Sequence, residues 1–464
     1  MHGVRVGVFG AGLLRIRLAR DRVRRRWLCG HRHGGRHRAQ PAALAGAGRQ
    51  WLCRHERAGA AVLCRAVSYS ARGGAAGGDY WGVIEMNIVI LQGAFFPIPP
   101  LLGGAVEKMW FKLGQEFAKL GHHVTHISKQ YSGLPDKELI DGVHHKRIIG
   151  YTSPKSMLIH KLYDAIYSWR AVKSIPTSTD IVITNSFWSP IFLLLNKRAV
   201  VYVDVARMPK GQLKFYSRAD CLRANSGAVV AAMKNEIPAT AHHRIRMVPN
   251  PLPFNEQGRI NFEIKESIIL YCGRVHEEKG LELLANAVNK NDLKGWRIQI
   301  VGPWDVSMGG SGEDYKNYLV KCFEKSNVEF TGPIFDESKL NEIYSRASIF
   351  VYPSLAEKGE TFGLAPLEAM AWGNVPIVSN LTCFQDFIQH DKNGLIFDHR
   401  STTPDVNLAE SIKRLIENTS LRRHLAVQAL KVRETHSTAN IAKQFIFDFE
   451  LLLNLRSARL APEN

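Results

Sequence analysis

Glu360 and Glu368 are separated by seven residues, and a glycine lies between them at position 363. The segment predicts a turn that opens a helix, because Gly363 has no Cβ and lets the backbone approach a phosphate. The free N–H groups of a helix's first turn attract anionic oxygens, and ionised carboxylates accept hydrogen bonds from sugar or ribose hydroxyls. The segment therefore suits a ligand with hydroxyl groups and a diphosphate. A strand-to-helix turn with two solvated glutamates is the alternative.

Arg274 and Lys279 form a second candidate group. They follow a predicted strand that ends at Cys272 and precede a predicted helix, so they lie at a strand's carboxyl end. A guanidinium fork and a compact ammonium in that position suit a diphosphate. Two solvated cations beside Glu277 and Glu278 are the alternative.

Gly103 and Gly104 form a third group, directly before a predicted helix. A pair of glycines there lets backbone amides approach a phosphate group. An ordinary turn explains the same pair without a ligand.

These groups need a framework of strands and helices, and the two patterns alternate from Met86 onward, as in doubly wound α/β domains. Strands are predicted at 87–91, 123–127, 143–149, 181–184, 199–204, 245–248, 267–272, 297–301, 328–330, 348–352, 375–378 and 395–397. Helices are predicted at 106–120, 155–173, 188–196, 226–235, 280–290, 313–325, 337–346, 364–372 and 407–417, and the stretch from 419 to about 456 is predicted to be helical.

A Pro-rich run from Val248 to Pro253 interrupts this alternation. Because such a run marks a boundary, we expect two Rossmann-like domains joined by a hinge. The expected divisions are a first domain at 86–250, a hinge at 251–266, a second domain at 267–435, and a C-terminal helix and tail at 436–464. Two doubly wound domains leave a cleft between them, and ligands of such sheets bind at the carboxyl ends of the strands.

The formal net charge of +19 is unevenly distributed. Residues 1–85 hold 16 Arg, no Lys and 4 acidic residues, and therefore carry +12 of that charge. This Arg/Gly-rich leader has little apolar surface to bury, so we expect it to be disordered. Three interpretations of the leader are open. It is an upstream stretch included by a wrong start site, in which case Met86 is the true start. Otherwise it is an organelle transit peptide or a nucleic-acid-binding arm. No recognition motif accompanies its charge, so we expect no nucleic-acid partner.

Seven cysteines include no C-x-x-C pair, as expected for reduced thiols in a cytosolic protein. No apolar run reaches the ~18 residues that a membrane span needs. The Arg-dense start also lacks the apolar centre of a secretory signal. We therefore expect a cytoplasmic protein.

Together the three groups resemble glycosyltransferase family 4, which comprises retaining enzymes of the GT-B fold, over about residues 86–455. The resemblance rests on Gly103 and Gly104 with Glu107, on the passage from Val248 to Asn250, on Arg274 with Lys279, on Glu360 with Glu368, and on Asn393 with Gly394. It implies an α/β protein in which two doubly wound Rossmann-like domains face a central cleft.

The resemblance also implies roles for individual residues. Arg274 and Lys279 neutralise the donor diphosphate, and Glu360 holds hydroxyls of the transferred sugar; these three are the predicted catalytic residues. Glu368 holds the nucleotide ribose. The further predicted donor-binding residues are Gly103, Gly104, Ile334, Phe362, Gly363 and Leu364, with Ile334 beside the base.

No Asp-x-Asp triplet, the motif that holds a divalent cation on a nucleotide sugar in another transferase fold, occurs in the chain. Fixed cations and helix amides must then stabilise the charge that grows on the leaving diphosphate. The prediction is metal-independent sugar transfer with retention of anomeric configuration. It requires no metal site and no cofactor other than the nucleotide-diphosphate sugar as co-substrate.

The chain departs from the family pattern at two places. Family members often carry Gly-Gly ahead of a Glu where this chain has Asn380 to Asp386, so we expect Asp386 to replace that Glu. Asn185 stands where many members carry a His, near the acceptor. Two other functions stay open, a nucleotide-sugar epimerase of the same two-domain plan and a non-catalytic sugar-nucleotide-binding protein.

The acceptor is a glycan, a lipid-linked molecule or a small molecule. Apolar and aromatic residues are frequent at 94–102 and 151–170, with Lys155, Lys161 and Arg170 nearby. Core packing explains this composition, and so does contact with a membrane surface. Peripheral contact with the inner face of the membrane is therefore part of the expectation.

Overall fold

The computed structural model describes residues 85–102, 104–154, 156–193, 199–254, 258–323 and 326–460. The disorder predicted for the leader concerns residues outside these ranges, and Gly103 and Lys155 also lie outside them. One unit, Gly78–Asn464, contains every described element. It holds two sheets, each with helices on both faces.

The first sheet has eight strands in the order β3-β4-β2-β1-β5-β6-β7-β8. All neighbours pair in parallel except β3 with β4. The strands are β1 Asn87–Leu91, β2 His123–Lys129, β3 Lys137–Ile140, β4 Val143–Ile148, β5 Ile181–Thr184, β6 Val200–Val205, β7 Cys221–Ala224 and β8 Ile245–Met247. The strand order reverses between β1 and β5, and such a switch point is where doubly wound sheets bind ligands.

The second sheet has six parallel strands in the order β11-β10-β9-β12-β13-β14. The strands are β9 Ile268–Cys272, β10 Arg297–Val301, β11 Val328–Gly332, β12 Ile349–Tyr352, β13 Val375–Ser379 and β14 Leu395–Phe397. Its switch point lies between β9 and β12.

Helices cover both faces of each sheet. They are α1 Ala105–Lys119, α2 Met157–Lys173, α3 Ser189–Leu193, α4 Gly227–Glu236, α5 Leu281–Val288, α6 Glu313–Cys322, α7 Glu337–Arg346, α8 Leu364–Ala371, α9 Pro404–Glu417, α10 Thr419–Ala429, α11 Val432–Thr435 and α12 Thr438–Leu460. None of the described helices combines the length and the apolar character that crossing a membrane requires.

All twelve predicted strands are present, but two strands were missed. Strand β3 is a charged edge strand that pairs on one side only, so its pattern is weak. Strand β7 is short and carries Arg223 at its centre, which interrupts the apolar run. The stretch from 419 to about 456 is helical, as predicted, and consists of the three helices α10, α11 and α12.

Helix α12 follows the second sheet in sequence but packs against the first sheet beside α1. Phe445 and Phe449 contact Trp110 and Phe117 there, with ring centroids 5.2–6.2 Å apart. The chain therefore crosses between the two sheets twice.

The two crossings lie side by side and are hydrogen-bonded to each other. The backbone N–H of Leu252 donates to the carbonyl of His436 at 2.8 Å. The Thr438 hydroxyl donates to the Leu252 carbonyl at 3.2 Å. This paired segment is therefore one of the links that join the two sheets.

Arg223 lies on β7, and its side chain is fully buried. It binds the segment by which the chain first leaves the first sheet. Its Nη1 donates to Asp204 Oδ1 at 2.7 Å, and its Nε and Nη2 donate to the Val248 carbonyl and Asn250 Oδ1 at 2.7 and 2.8 Å. The Trp110 indole donates to the other oxygen of Asp204 at 2.9 Å. One guanidinium thus connects β6, β7 and the Pro-rich passage.

Replacing Arg223 by Met leaves Asp204 as an uncompensated buried charge. We expect Arg223→Met to lower the free energy of unfolding by about 3–5 kcal/mol, measured by urea denaturation. The matched control is Arg218→Met, because Arg218 is exposed and its loss should change stability by no more than about 0.5 kcal/mol. Equal stability of both variants would contradict the assigned role of the network.

His126 and His145 are buried side by side on β2 and β4, with ring centroids 5.5 Å apart. None of their ring nitrogens has a hydrogen-bond partner among the described residues. Burial, together with the nearby Arg147 guanidinium, lowers the pKa of both imidazoles, that of His145 to about 4. Both rings are therefore neutral in the folded protein at pH 7.

The unfolded chain binds protons on these histidines near pH 6.5, whereas the folded chain does not, so stability must fall as the pH drops below about 6.5. We expect the free energy of unfolding to decline between about pH 7.5 and pH 5, and His145→Gln to reduce that slope. His144→Gln, at the exposed neighbouring position, is the control and should leave most of the slope intact. An unchanged slope in His145→Gln would show that this pair does not cause the acid sensitivity.

Candidate functional site

Lys279 and Glu360 meet at the switch point of the second sheet. Lys279 ends the short 3-10 turn after β9, and Glu360 lies in the loop after the neighbouring strand β12. The ammonium is 2.7 Å from Glu360 Oε2, and the two side chains are only 7% and 12% exposed. Ser354 Oγ donates to the same carboxylate oxygen at 3.2 Å. Two residues 81 positions apart in sequence therefore form one buried ion pair.

Arg274 lies next to this pair. Its Nη2 is 2.9 Å from Glu278 Oε1, and Lys279 Nζ is 3.9 Å from the same oxygen. Arg274 Nη1 also donates to the carbonyl of Gly309 at 2.7 Å. Lys279 is buried, so the alternative of a solvated cation is wrong for this residue. That alternative fits Arg274 better, because its side chain is 43% exposed. Both cations lie within 4 Å of a single carboxylate oxygen.

Helix α8 begins beside Glu360, as the sequence predicts. Gly363 caps it with φ 93°, and a Cβ at this position would collide with the Phe384 ring. The Phe362 ring is buried against Phe387 with centroids 5.4 Å apart, and Leu364 is the first helical residue. These residues can therefore offer a ligand their backbone N–H groups, which is the part that a helix N-terminus presents to anions.

Glu368 lies on α8 and is half-buried. The Tyr344 hydroxyl donates to its Oε2 at 3.2 Å. Burial raises the pKa of Glu368 to about 7, while the Tyr344 hydrogen bond and the positive charge of Lys108 oppose that rise. Lys108 belongs to α1, so this carboxyl group of the second domain lies within electrostatic reach of the first domain.

Gly104 caps α1 on the first-domain side with φ 94°. The carboxylate of Glu107 folds back into the space that a Cβ on Gly104 would occupy. Burial raises the pKa of Glu107, whereas a hydrogen bond from its own backbone N–H and the charge of Arg207 lower it. The N-terminus of α1 thus already holds an anionic group.

Two polar residues lie together at the switch point of the first sheet, and the sequence analysis did not predict this pair. Gln92 directly follows β1, Asn185 directly follows β5, and Asn185 Nδ2 donates to Gln92 Oε1 at 3.4 Å. Gln92 is 2% exposed, and its Nε2 has no hydrogen-bond partner among the described residues. A polar residue immediately after an apolar strand was the available clue to Gln92.

Asp386 takes part in a contact between the two domains. Its Oδ2 accepts a hydrogen bond at 2.9 Å from the backbone N–H of Gly227, the first residue of α4. Thr361 Oγ1 donates to the Ala206 carbonyl at 3.3 Å, which adds a second bond of this kind. The structure therefore gives Asp386, expected as a replacement for a family Glu, a partner in the first domain.

The remaining predicted residue, Ile334, is half-buried just after β11 and packs against the second core. A cavity of about 560 Å³ lies elsewhere, at the amino ends of β9 and β10, where Ser267 and Arg297 line it; it contains none of the predicted site residues. Within the described ranges, no group of three or more His, Cys, Asp or Glu side chains is arranged to hold a metal ion.

Known sequences are similar to this chain mainly in its second domain. The family model described as Glycosyl transferases group 1 matches residues 255–432. An uncharacterised glycosyltransferase of Methanocaldococcus jannaschii is 29% identical over 206 residues, which cover 43% of this chain and 49% of that protein. An uncharacterised glycosyltransferase of Bacillus subtilis is 26% identical over 225 residues, covering 48% of this chain and 60% of that protein. The matches thus span about half the length of these relatives.

Solved structures extend the likeness to both domains. Sucrose-phosphate synthase of Thermosynechococcus elongatus superposes with a TM-score of 0.63 at 20% identity, over 80% of this chain and 100% of that one. The Anabaena protein HepE, solved in complex with UDP and glucose, superposes with a TM-score of 0.58 at 15% identity, over 79% and 100% of the two chains. At these identities the likeness shows the fold, and the predicted GT-B fold class is confirmed.

Because burial raises the pKa of Glu368 to about 7, we expect this carboxyl group to titrate near neutral pH. Carbon-13 NMR of labelled glutamate, assigned with Glu368→Gln, measures that midpoint. Tyr344→Phe removes a hydrogen bond that favours the carboxylate, so it should raise the midpoint further. Titration of Glu368 near pH 4.3, the ordinary value for glutamate, would contradict the burial described above.

Proposed function

We propose that this chain is a hexosyltransferase that moves a sugar from a nucleotide-diphosphate sugar to an acceptor hydroxyl, with retention of anomeric configuration and without a bound metal. The observation that carries the proposal is the buried Lys279–Glu360 pair at the switch point, with Arg274 beside it and the N-terminus of α8 three residues on. The site belongs to the region that matches the group 1 glycosyl transferase family.

The leaving group is the first argument for this function. In the free protein, Glu278 lies within 4 Å of both cations and balances their charge. A donor diphosphate supplies more negative charge than one carboxylate and takes over these contacts. Arg274 and Lys279 then stabilise the charge that grows on the diphosphate as the sugar leaves, which is the work a metal ion does in other transferases.

The rest of the donor is held by hydroxyl and backbone contacts. Glu360 accepts hydrogen bonds from the transferred sugar, and Glu368 accepts them from the ribose. Ile334 lies beside the base. The backbones of Gly103, Gly104 and the segment Phe362–Leu364 approach the phosphates or the sugar. HepE, which shares this fold, was solved with UDP and glucose, and that supports a nucleotide sugar as the donor.

Transfer with retention forms and breaks bonds on one face of the sugar. The bond between the anomeric carbon and the phosphate oxygen breaks, and the acceptor oxygen bonds to the same carbon from the same side. The acceptor's proton passes to the departing phosphate oxygen, so no protein nucleophile is needed. Closure of the two domains excludes water and limits hydrolysis of the donor.

The test incubates the full chain with a panel of nucleotide-diphosphate sugars, with and without candidate acceptors, and detects products by mass spectrometry. Lys279→Met and Arg274→Ala should each reduce turnover by about a hundredfold or more. Lys413→Met, at an exposed position on α9, is the control and should retain full activity. Circular dichroism checks that Lys279→Met, which breaks a buried pair, remains folded.

Each other outcome decides against a stated part of the proposal. Conversion of the donor without acceptor indicates an epimerase, and nucleotide-sugar binding without any turnover indicates a binding protein. Loss of activity with a chelator and its return with a divalent ion would contradict metal independence. A product with the opposite anomeric configuration, determined by proton NMR, would contradict retention.

A further inference from the structure

A group of exposed apolar side chains lies at the N-terminal end of α2 and in the loop after β1. We call it the outer apolar patch, and its members are 43–80% exposed, with Leu158 the most exposed. It consists of Phe96, Leu101, Leu102, Met157, Leu158, Ile159 and Leu162.

Ring contacts hold the two parts of the patch together. Phe95, next to Phe96, stacks on His160 of α2 with centroids 4.0 Å apart. Tyr151, in the loop before α2, stacks on Tyr163 at 4.1 Å. The patch therefore forms one continuous surface at the carboxyl edge of the first sheet.

The first turn of α2 exposes apolar side chains in several directions. Met157, Leu158 and Ile159 are consecutive, and successive residues of an α-helix point about 100° apart. Together they cover most of the helix circumference, and all three are exposed. The first turn of α2 therefore presents apolar side chains over a wide arc, and an interfacial helix buries such a surface at the boundary between lipid headgroups and acyl chains.

Charge identifies the kind of lipid surface. Lys161 and Lys173 are exposed on α2, whose one acidic residue, Asp164, is half-buried. The first domain, residues 86–250, has 21 Lys and Arg against 10 Asp and Glu, whereas residues 251–464 have 24 against 28. Lys173 lies 3.6 Å above the ring of Trp169, which occupies the same face of α2 as Leu158 and Leu162. Basic residues beside apolar and aromatic ones are typical of surfaces that bind anionic membranes.

We propose that the outer apolar patch docks on an anionic lipid bilayer, with the first turns of α2 inserted at the interface. The patch shares the carboxyl edge of the first sheet with Gly104 and Gln92, so docking brings that edge to the membrane. The acceptor is then carried by a lipid, and this last step rests on the proposed function.

Vesicle flotation of the full chain tests the docking. The leader carries +12 and binds anionic lipid by charge alone, so binding is measured in about 0.5 M NaCl, where such charges are screened. Vesicles of phosphatidylcholine with about 30% phosphatidylglycerol should retain the protein, and Leu158→Ser with Leu162→Ser should weaken retention at least about tenfold. Phe447→Ser removes an equally exposed ring from α12, on the opposite face of the sheet, and should leave binding unchanged.

Equal flotation of the wild type and the Leu158→Ser, Leu162→Ser variant would overturn the proposal, as would retention on pure phosphatidylcholine that equals retention on the anionic vesicles in physiological salt. Self-association that the double variant abolishes, without any vesicle binding, would assign the patch to a protein interface and also overturn it. Nucleotide-sugar binding measured without vesicles separates a failure here from a failure of the proposed function.

Discussion

A buried guanidinium must be paired with hydrogen-bond acceptors, and the three acceptors of Arg223 belong to different parts of the chain. Asp204 comes from a neighbouring strand, and Val248 and Asn250 come from the passage that leaves the first domain. Removing any one of these oxygens leaves a polar group or a charge without a partner in a low-dielectric interior. The segment at which the chain leaves the first domain is therefore held in a fixed position relative to the first sheet.

The cleft depends on this constraint because both crossings run together. Leu252, two residues after Asn250, is hydrogen-bonded to His436 and Thr438, which begin the return to the first domain. Helix α12 then packs its aromatic rings against α1, the helix that starts at Gly104. The same helix α1 carries Lys108, whose charge acts on Glu368 across the cleft. The crossings therefore set the spacing between the two halves of the candidate site, together with the direct contacts of Asp386 with Gly227 and of Thr361 with Ala206.

Within the second domain, each cation of the candidate site is paired with a carboxylate. Lys279 is buried against Glu360, and Arg274 is paired with Glu278. A buried ion pair such as Lys279–Glu360 contributes little to stability by itself, since desolvation offsets the attraction. It does hold the Lys279 ammonium in a fixed, buried position, where its field on a developing negative charge is stronger than in water.

The sequence by itself determined the alternation of strands and helices, the α/β class and the segments that hold the site. Apolar runs of strand length, glycines at helix starts and a Pro-rich boundary are local features, and local sterics and hydration produce them wherever they occur. Gly363 is the clearest case, because its positive φ and its contact with Phe384 exclude a side chain.

Only the tertiary structure decided which charges meet. Lys279 and Glu360, 81 positions apart, are brought together by the parallel pairing of β9 with β12, which no local pattern encodes. The same holds for Gln92 with Asn185, for Asp386 with Gly227, and for the return of α12 to the first sheet. Arg223 was overlooked because a charged residue inside an apolar strand predicts a loop, until the oxygens that surround it in the fold are known.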